Sequence, residues 1–263
     1  MSEALFLEEV GDDGVAWLTL TRSEVHNAFN DTLISALTRS LESLQDDERV
    51  RVVVLGAKGP SFSAGADLNW MKRMAGYSEE ENLADARALA RLLQVLDGLK
   101  QPTVAMIQGP AFGGGVGLIA CCDIAIAAES AHFALTEVRL GLIPAVISPY
   151  VLAAIGERAA RRYMLSAERM TAREAQAIGL IHEVVPDEQL QARTDRVLKA
   201  LLTCGPEAQA EAKALIFAVA GKPRGEAVIE DTARRIARVR AGAEGKEGLA
   251  AFLEKRKPKW LDG

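Results

Sequence analysis

Short continuous apolar runs alternate with longer stretches of helical spacing through the first two thirds of this chain. Residues 15 to 20, VAWLTL, alternate around β-branched and aromatic positions and follow the turn signal GDDG, which predicts a hairpin near the N-terminus. Leu33, Ile34, Leu37, Leu41 and Leu44 recur every three or four residues, predicting a helix capped by Asn30 or Asp31. VRVVVLG at 50 to 56 is apolar throughout, the pattern of a parallel strand covered on both faces. A second round follows: helical spacing from Glu79 to Leu99, a stop at Pro102, and a buried strand in TVAMIQG at 103 to 109. FGGGVGLIACC then reads as a glycine-entered helix and CDIAIAA as a third buried strand. This order predicts an α/β fold of stacked ββα or βαβ turns with right-handed crossovers.

Beyond Gly179 the texture changes. GLIHEVVP predicts a last strand ended by Pro186, and residues 187 to 254 read as helices rich in Ala, Leu, Arg and Glu, broken at Gly205-Pro206 and Gly221-Lys222-Pro223. Their apolar positions are too few for an independent core, so this tail is expected to pack on the body or on a neighbouring subunit.

Composition narrows the function. Hydrophobic residues make up 49% and charged residues 25% of 263, which suits a globular chain of one large domain or a core with an appendage. Lys and Arg total 31 against 36 Asp and Glu, a net charge of -5, with no basic stripe to track phosphates, so no nucleic-acid partner is expected. No apolar stretch approaches the ~20 residues of a membrane span. The acidic start MSEALFLEEVGDD lacks the pattern of an export signal, and Cys121, Cys122 and Cys204 offer no zinc spacing. The expectation is a cytoplasmic, reduced, metal-free protein that binds no membrane.

The sharpest local features are SFSAGADL at 61 to 68 and GPAFGGGVGLIACCDIAIA at 109 to 127, each set between a buried strand and a helix. The first amides of a helix have no internal partner, and glycine lets an anion or polarised carbonyl approach them. Two such turns on adjacent strands can aim one N–H each at a single oxygen and stabilise an enolate. Either turn alone is equally served by tight packing. The dinucleotide fingerprint GxGxxG and the phosphate loop GxxxxGK are absent.

SFSAGADLNWM, QGPAFGGGVGLIACCDIAIAAESAHFALTEVRLGLIP, SAERMTAREAQAIGLIHEVV and AFLEKRKPKW together resemble the enoyl-CoA hydratase/isomerase, or crotonase, family, from about residue 5 to 260. The resemblance implies a spiral core of ββα turns carrying the acyl-CoA site at residues 1–195. It also implies a C-terminal helical region at 196–263 that forms a trimer or a dimer of trimers. Coenzyme A would enter only as part of the substrate, an acyl-CoA thioester, with no separate cofactor. Carried across, the oxyanion hole falls on the amides of Ala66 and Gly114 and the catalytic acid on Glu137. Val25, Ala64, Leu68 and Lys255 would contact CoA, and Phe252 would cover the acyl end. A glutamate in an apolar pocket has a raised pKa, which suits proton exchange near neutral pH.

Two departures stand out. Hydratases of this family usually carry a second glutamate three residues after the oxyanion glycine, where this chain has Gly117. One carboxylate then leaves three options: a syn addition in which Glu137 both takes and returns the proton, a substrate carboxylate lodged in the vacated volume, or isomerisation of a 3-enoyl to a 2-enoyl thioester. Second, IPAVISPY at 143 to 150 places Val146 and Ile147 where many relatives have glycines. These details are most similar to bacterial hydratases of branched glutaconyl-CoA esters, 3-methylglutaconyl-CoA of leucine breakdown first and isohexenylglutaconyl-CoA of terpene breakdown second. Trp70, Met71, Met74 and Gly117 are the expected acyl-pocket residues, and Arg73 or Arg139 would meet a distal substrate carboxylate. A different class, a non-catalytic acyl-CoA-binding protein, is the other reading. His26, His132 and His182 are scattered and carry no predicted chemistry.

Overall fold

The computed structural model describes residues 5–261. A hairpin opens the chain: β1 (Phe6–Val10) pairs antiparallel with β2 (Val15–Leu20) across the predicted turn. The helix α1 (Asp31–Asp46) starts where the Asn30 side chain accepts the Leu33 N–H at 2.8 Å, and it buries Leu33, Ile34, Leu37, Leu41 and Leu44. Removing five such side chains from water supplies roughly 2 kcal/mol each, so the apolar stripe, more than intrinsic propensity, holds α1 on the sheet.

Four further strands extend the sheet in parallel. They are β3 (Val52–Ala57), β4 (Thr103–Ile107), β6 (Ile124–Ala128) and β9 (Glu183–Val185), and with the hairpin they give the order β1-β2-β3-β4-β6-β9. A smaller sheet holds β5 (Ala111–Phe112), β7 (His132–Ala134) and β8 (Met170–Thr171). The chain alternates between the sheets and the helices that follow them: β4, β5, then α4 (Gly114–Cys121) back to β6; β6, β7, then α5 (Ser148–Ser166) into β8 of the small sheet; and α6 (Ala172–Ala177) back to β9 of the large one. The ββα repeat expected from the sequence is therefore present. Between β3 and β4 lie α2 (Leu68–Met74) and α3 (Glu79–Gly98), the latter opened by a reciprocal cap between Ser78 and Glu81. α1 and α3 cover one face of the sheet.

The other face is covered by α7 (Leu190–Leu202), whose Leu190, Val197 and Leu198 pack on Val52, Val54, Val104 and Ile126. Continuous apolar strands are explained by this double coverage. The last helices are α8 (Pro206–Val219), α9 (Glu226–Ala241) and α10 (Ala243–Leu253). They attach at the edge where the parallel strands begin: Lys213 pairs with Asp123 at 2.8 Å, just before β6, and Arg51, just before β3, donates to the Cys204 carbonyl at 2.7 Å. α9 has no buried residue within the chain, and Ile216, Phe217, Ile229, Ile236, Leu249 and Leu253 are exposed.

Candidate active site

The two glycine-rich turns lie at the opposite edge, where the strands end. The first is fixed to the segment before α1: the Phe29 amide donates to Gly65 O at 2.6 Å and the Asp67 amide to Phe29 O at 2.7 Å, so residues 65 to 67 run beside Phe29 like a short strand. Asp67 then caps α2, accepting from the Asn69 and Trp70 amides, and pairs with Arg22 at 2.7 Å. Burial by itself would raise the Asp67 carboxyl; Arg22 and the two amides outweigh it and hold the group below the usual aspartate range.

The second turn is registered on the first. Phe62 N and Ser63 N both donate to Pro110 O, and Phe112 N returns a bond to Ser63 O at 2.9 Å. Gly113, at φ 50°, adopts a backbone that a side chain would strain, and its amide is taken by Ala134 O at 3.0 Å. α4 starts at Gly114, whose N–H precedes the helical ladder. Among the described residues, neither the Ala66 nor the Gly114 amide donates to a protein acceptor. Both residues are partly open, and both line one cavity of about 690 Å³.

Glu137 enters that cavity from a 3-10 turn, Glu137–Leu140, that follows β7 and closes on Gly141 at φ 72°. Its carboxyl lies against the Gly113 backbone: a Cβ built on Gly113 would be 3.1 Å from Oε1. Oε2 is buried without a hydrogen-bond partner, and burial raises the carboxyl above the usual glutamate value, with its own backbone amide opposing only in part. An acid that is easily protonated thus faces the same space as two unpaired amides.

Ala64, Leu68, Trp70, Met71 and Met74 line the cavity, Leu68 as an exposed lip and Trp70 almost fully buried. Gly117 does not. It is buried behind Ile147, and a Cβ at Gly117 would lie 2.3 Å from Ile147 Cγ2. The expectation of a vacated volume beside Gly117 is corrected accordingly: Ile147 fills it, and with it goes the option of lodging a substrate carboxylate there. Val25 ends a 3-10 turn at the outer edge, one residue before the His26 carbonyl that accepts the Ala64 amide, and is not part of the cavity wall.

Phe252 and Lys255 are also outside the cavity. They stand exposed at the end of α10, with the helices anchored at the strand-starting edge, so within one chain they are not brought to Glu137. Arg73 and Arg139 do not line the cavity either: Arg73 pairs with Asp31 at 2.8 Å, and Arg139 donates to the Ala167 carbonyl at 2.6 Å. No Lys, Arg or His is among the lining residues.

Two parts of the wall, Phe29 and the α3 pair Asn82 and Asp85, escaped the sequence reading, and of a third, the segment 140–147, only Val146 and Ile147 were marked. Phe29 lies beneath the second glycine-rich turn, and a Cβ on Gly114 would sit 2.9 Å from its ring. The segment 140–147 supplies an apolar rim on which Leu140, Leu142 and Ile143 are exposed. Asn82 and Asp85 of α3 also face the cavity. Asp85 extends the stripe of Leu89, Leu92, Leu93 and Leu96 toward the helix start, and an acid on an apolar stripe was the available signal. The histidines do serve other ends: His182 Nδ1 accepts the Ala125 amide at 3.0 Å, His26 bonds Ser61, and the His132 ring sits 5.7 Å from that of Phe112.

Known proteins are similar to this chain over nearly its whole length. The enoyl-CoA hydratase/isomerase family model matches residues 11–263. A crystal structure of an enoyl-CoA hydratase from Shewanella pealeana is similar at 46% identity and a TM-score of 0.95, covering 98% of this chain and 97% of that one. AtuE of Pseudomonas aeruginosa is similar at 38% identity and a TM-score of 0.93, over 98% and 99% of the two chains. An enoyl-CoA hydratase of Alternaria alternata is 35% identical over 251 residues, 93% of this chain and 80% of the relative. With its crotonase fold, its paired glycine turns and this matching length, the chain belongs to the enoyl-CoA hydratase/isomerase family.

Proposed function

We propose that the protein adds water to the double bond of a branched 2-enoyl-CoA, with Glu137 as its single proton-transfer group. The observation that carries this reading is the buried, unpartnered Glu137 Oε2 facing the cavity into which the free Ala66 and Gly114 amides open. In the reaction, the Glu137 carboxylate takes a proton from water as the water oxygen bonds to Cβ. The electron pair of the double bond moves toward the thioester, whose oxygen is held as an enolate by the two amides. The neutral Glu137 then returns the proton to Cα, and the thioester carbonyl re-forms.

Motif detail ranks 3-methylglutaconyl-CoA as the first choice of substrate and isohexenylglutaconyl-CoA as the second; the apolar walls suit the branched carbon chain of either, while no cation among the lining residues meets its distal carboxyl. Ala64 and Leu68 at the mouth suit the pantetheine side. Phe252 and Lys255 serve CoA only if a neighbouring copy brings them, which fits a trimer built through the exposed apolar residues of α8 to α10. No helix among the described residues is long and apolar enough to cross a membrane.

Ile147 over Gly117 favours one second reading, isomerisation, because moving a proton from Cα to Cγ needs only Glu137. An absorbance assay offering matched 2-enoyl and 3-enoyl thioesters to the wild type and to Glu137→Ala separates the two. Hydration lost in the variant supports the first reading; rapid turnover of the 3-enoyl ester without hydration replaces it by the second; unchanged turnover removes Glu137 from either.

A further inference from the structure

The acyl cavity is apolar apart from a few groups, and two of these, on α2 and α3, stand together. Trp70 lies on α2, fixed at its backbone by the Asp67 cap, and its indole N–H is buried with no protein acceptor at hydrogen-bond geometry. The group it faces is the half-buried Asp85 carboxyl of α3. Burial raises that carboxyl above the usual aspartate value, and the facing indole N–H offsets this only in part. Both residues line the cavity. A buried N–H left open beside a carboxyl is costly unless something completes the pair.

Position separates Asp85 from the wall at Gly117, where relatives carry the second glutamate. Leu93 lies 3.7 Å from a Cβ built on Gly117, against the wall closed by Ile147. Asp85 is two turns earlier on the same helix, about 12 Å away along its axis at the rise of an α-helix. It does not stand in for the absent second glutamate. The charged neighbours of Asp85 are Asp31 of α1 and Arg73 of α2, which are joined to each other. The segment 140–147, which lines the same cavity, carries no titratable side chain. Asp85 therefore lacks a cation of its own, and the complementary ligand group is one that both accepts and donates a hydrogen bond.

We propose that Trp70 and Asp85 form a subsite for an O–H group at the distal end of the acyl chain, which accepts from the indole N–H and donates to the carboxyl. A hydroxyl meets this directly, and a distal carboxyl meets it by sharing one proton with Asp85. The inference rests on the acyl-CoA reading of the cavity and adds what recognises the tail.

The test is the affinity of saturated acyl-CoA thioesters of equal chain length ending in methyl, hydroxymethyl or carboxyl, which bind without being hydrated. Titration calorimetry on the wild type, Trp70→Phe, Asp85→Asn and Asp85→Leu gives each dissociation constant. The wild type is expected to prefer at least one oxygen-ended ester over the methyl-ended one by about tenfold, the worth of a satisfied hydrogen bond to a buried group. Trp70→Phe and Asp85→Leu should bring that ratio toward one. A carboxyl preference that fades above neutral pH in the wild type but not in Asp85→Asn identifies the shared proton; a pH-independent hydroxyl preference identifies the alcohol. A wild type that favours the methyl-ended ester, or a ratio unmoved by either Asp85 variant, overturns the subsite. Turnover of 2-enoyl esters is measured separately, so loss of the hydratase reading leaves this result readable and the reverse.

Discussion

Ile147 occupies the space that a side chain on Gly117 would enter, with its Cγ2 placed 2.3 Å from the nearest atom such a side chain must have. The two residues are a matched pair. Gly117 lies within α4 and Ile147 just before α5, and the α4–α5 packing is closed through them. Gly117→Glu alone is expected to destabilise by about 3 kcal/mol or more, since it overpacks the core and buries a carboxyl. Adding Ile147→Gly should restore much of the thermal stability. Denaturant unfolding of the single and double variants checks this, and equal loss in both would show that Ile147 is not what excludes the side chain.

Glu137 is placed to fail in a specific manner when altered. Glu137→Gln keeps the shape but cannot exchange a proton, so kcat should fall by about 10²- to 10⁴-fold, with the affinity for a saturated acyl-CoA little changed. The carboxyl is raised in the folded chain by burial. Folding therefore favours its protonated form, and the stability it contributes is complete below the usual glutamate value and is lost as pH rises through the raised one. At neutral pH the variant should melt at a higher temperature than the wild type, a gain that shrinks in acid. Because water activation needs the carboxylate, the wild-type rate should fall on the acid side at a pH above the usual glutamate value. Calorimetry and a pH–rate profile check both signs.

The parts of this molecule visible in its sequence are those set by local periodicity. Continuous apolar runs marked β3, β4 and β6 because both sheet faces are covered, and the stripe from Leu33 to Leu44 with Asn30 before it marked α1 and its cap. The two glycine-rich turns were visible as a pair, each between a buried strand and a helix, although glycine at either one alone is equally served by tight packing. Contacts between distant segments were not visible: nothing near Gly117 says that Ile147 will cover it, and nothing in AFLEKRK says that α10 is anchored at the edge away from Glu137. Asp85 carried a weak signal, an acid continuing the stripe of Leu89, Leu92, Leu93 and Leu96, but an acid in the second turn of a helix is ordinarily a solvated one.

Arg22 braces the first oxyanion turn from outside the cavity. It donates to the Ala28 carbonyl and pairs with Asp67, the residues on either side of the bridge between Phe29 and Ala66. Arg22→Ala leaves the buried Asp67 carboxylate without its cation and should cost about 3 kcal/mol. Asp67 is held below the usual aspartate value, so its contribution is complete above that value and is lost as pH falls through the lower native one. In urea unfolding between neutral pH and pH 3, the wild type should lose stability across that range and Arg22→Ala should lose less. Parallel curves would show that the pair does not couple to acid.

Gly113 tests whether the position of the acid matters as much as its presence. Its φ of 50° and the 3.1 Å separation between a built Cβ and Glu137 Oε1 leave no room for a methyl group unless the carboxyl moves. Gly113→Ala should cost about 2–3 kcal/mol in backbone strain, so its fold is checked by thermal melting beside the kinetics. Catalysis is the sharper readout: the contact obliges the carboxyl to give by a few tenths of an ångström, less than the ~1 Å that costs on the order of 10²-fold in rate, so kcat should fall by roughly several-fold. The Gly114 amide next along is kept, so binding of a saturated acyl-CoA should persist while kcat drops. If Glu137 instead acted only as a remote charge, kcat would survive the methyl group. Combining Gly113→Ala with Glu137→Gln then completes a double-mutant cycle: two changes acting through one misplaced acid should together cost little more than Glu137→Gln alone, whereas independent effects would multiply.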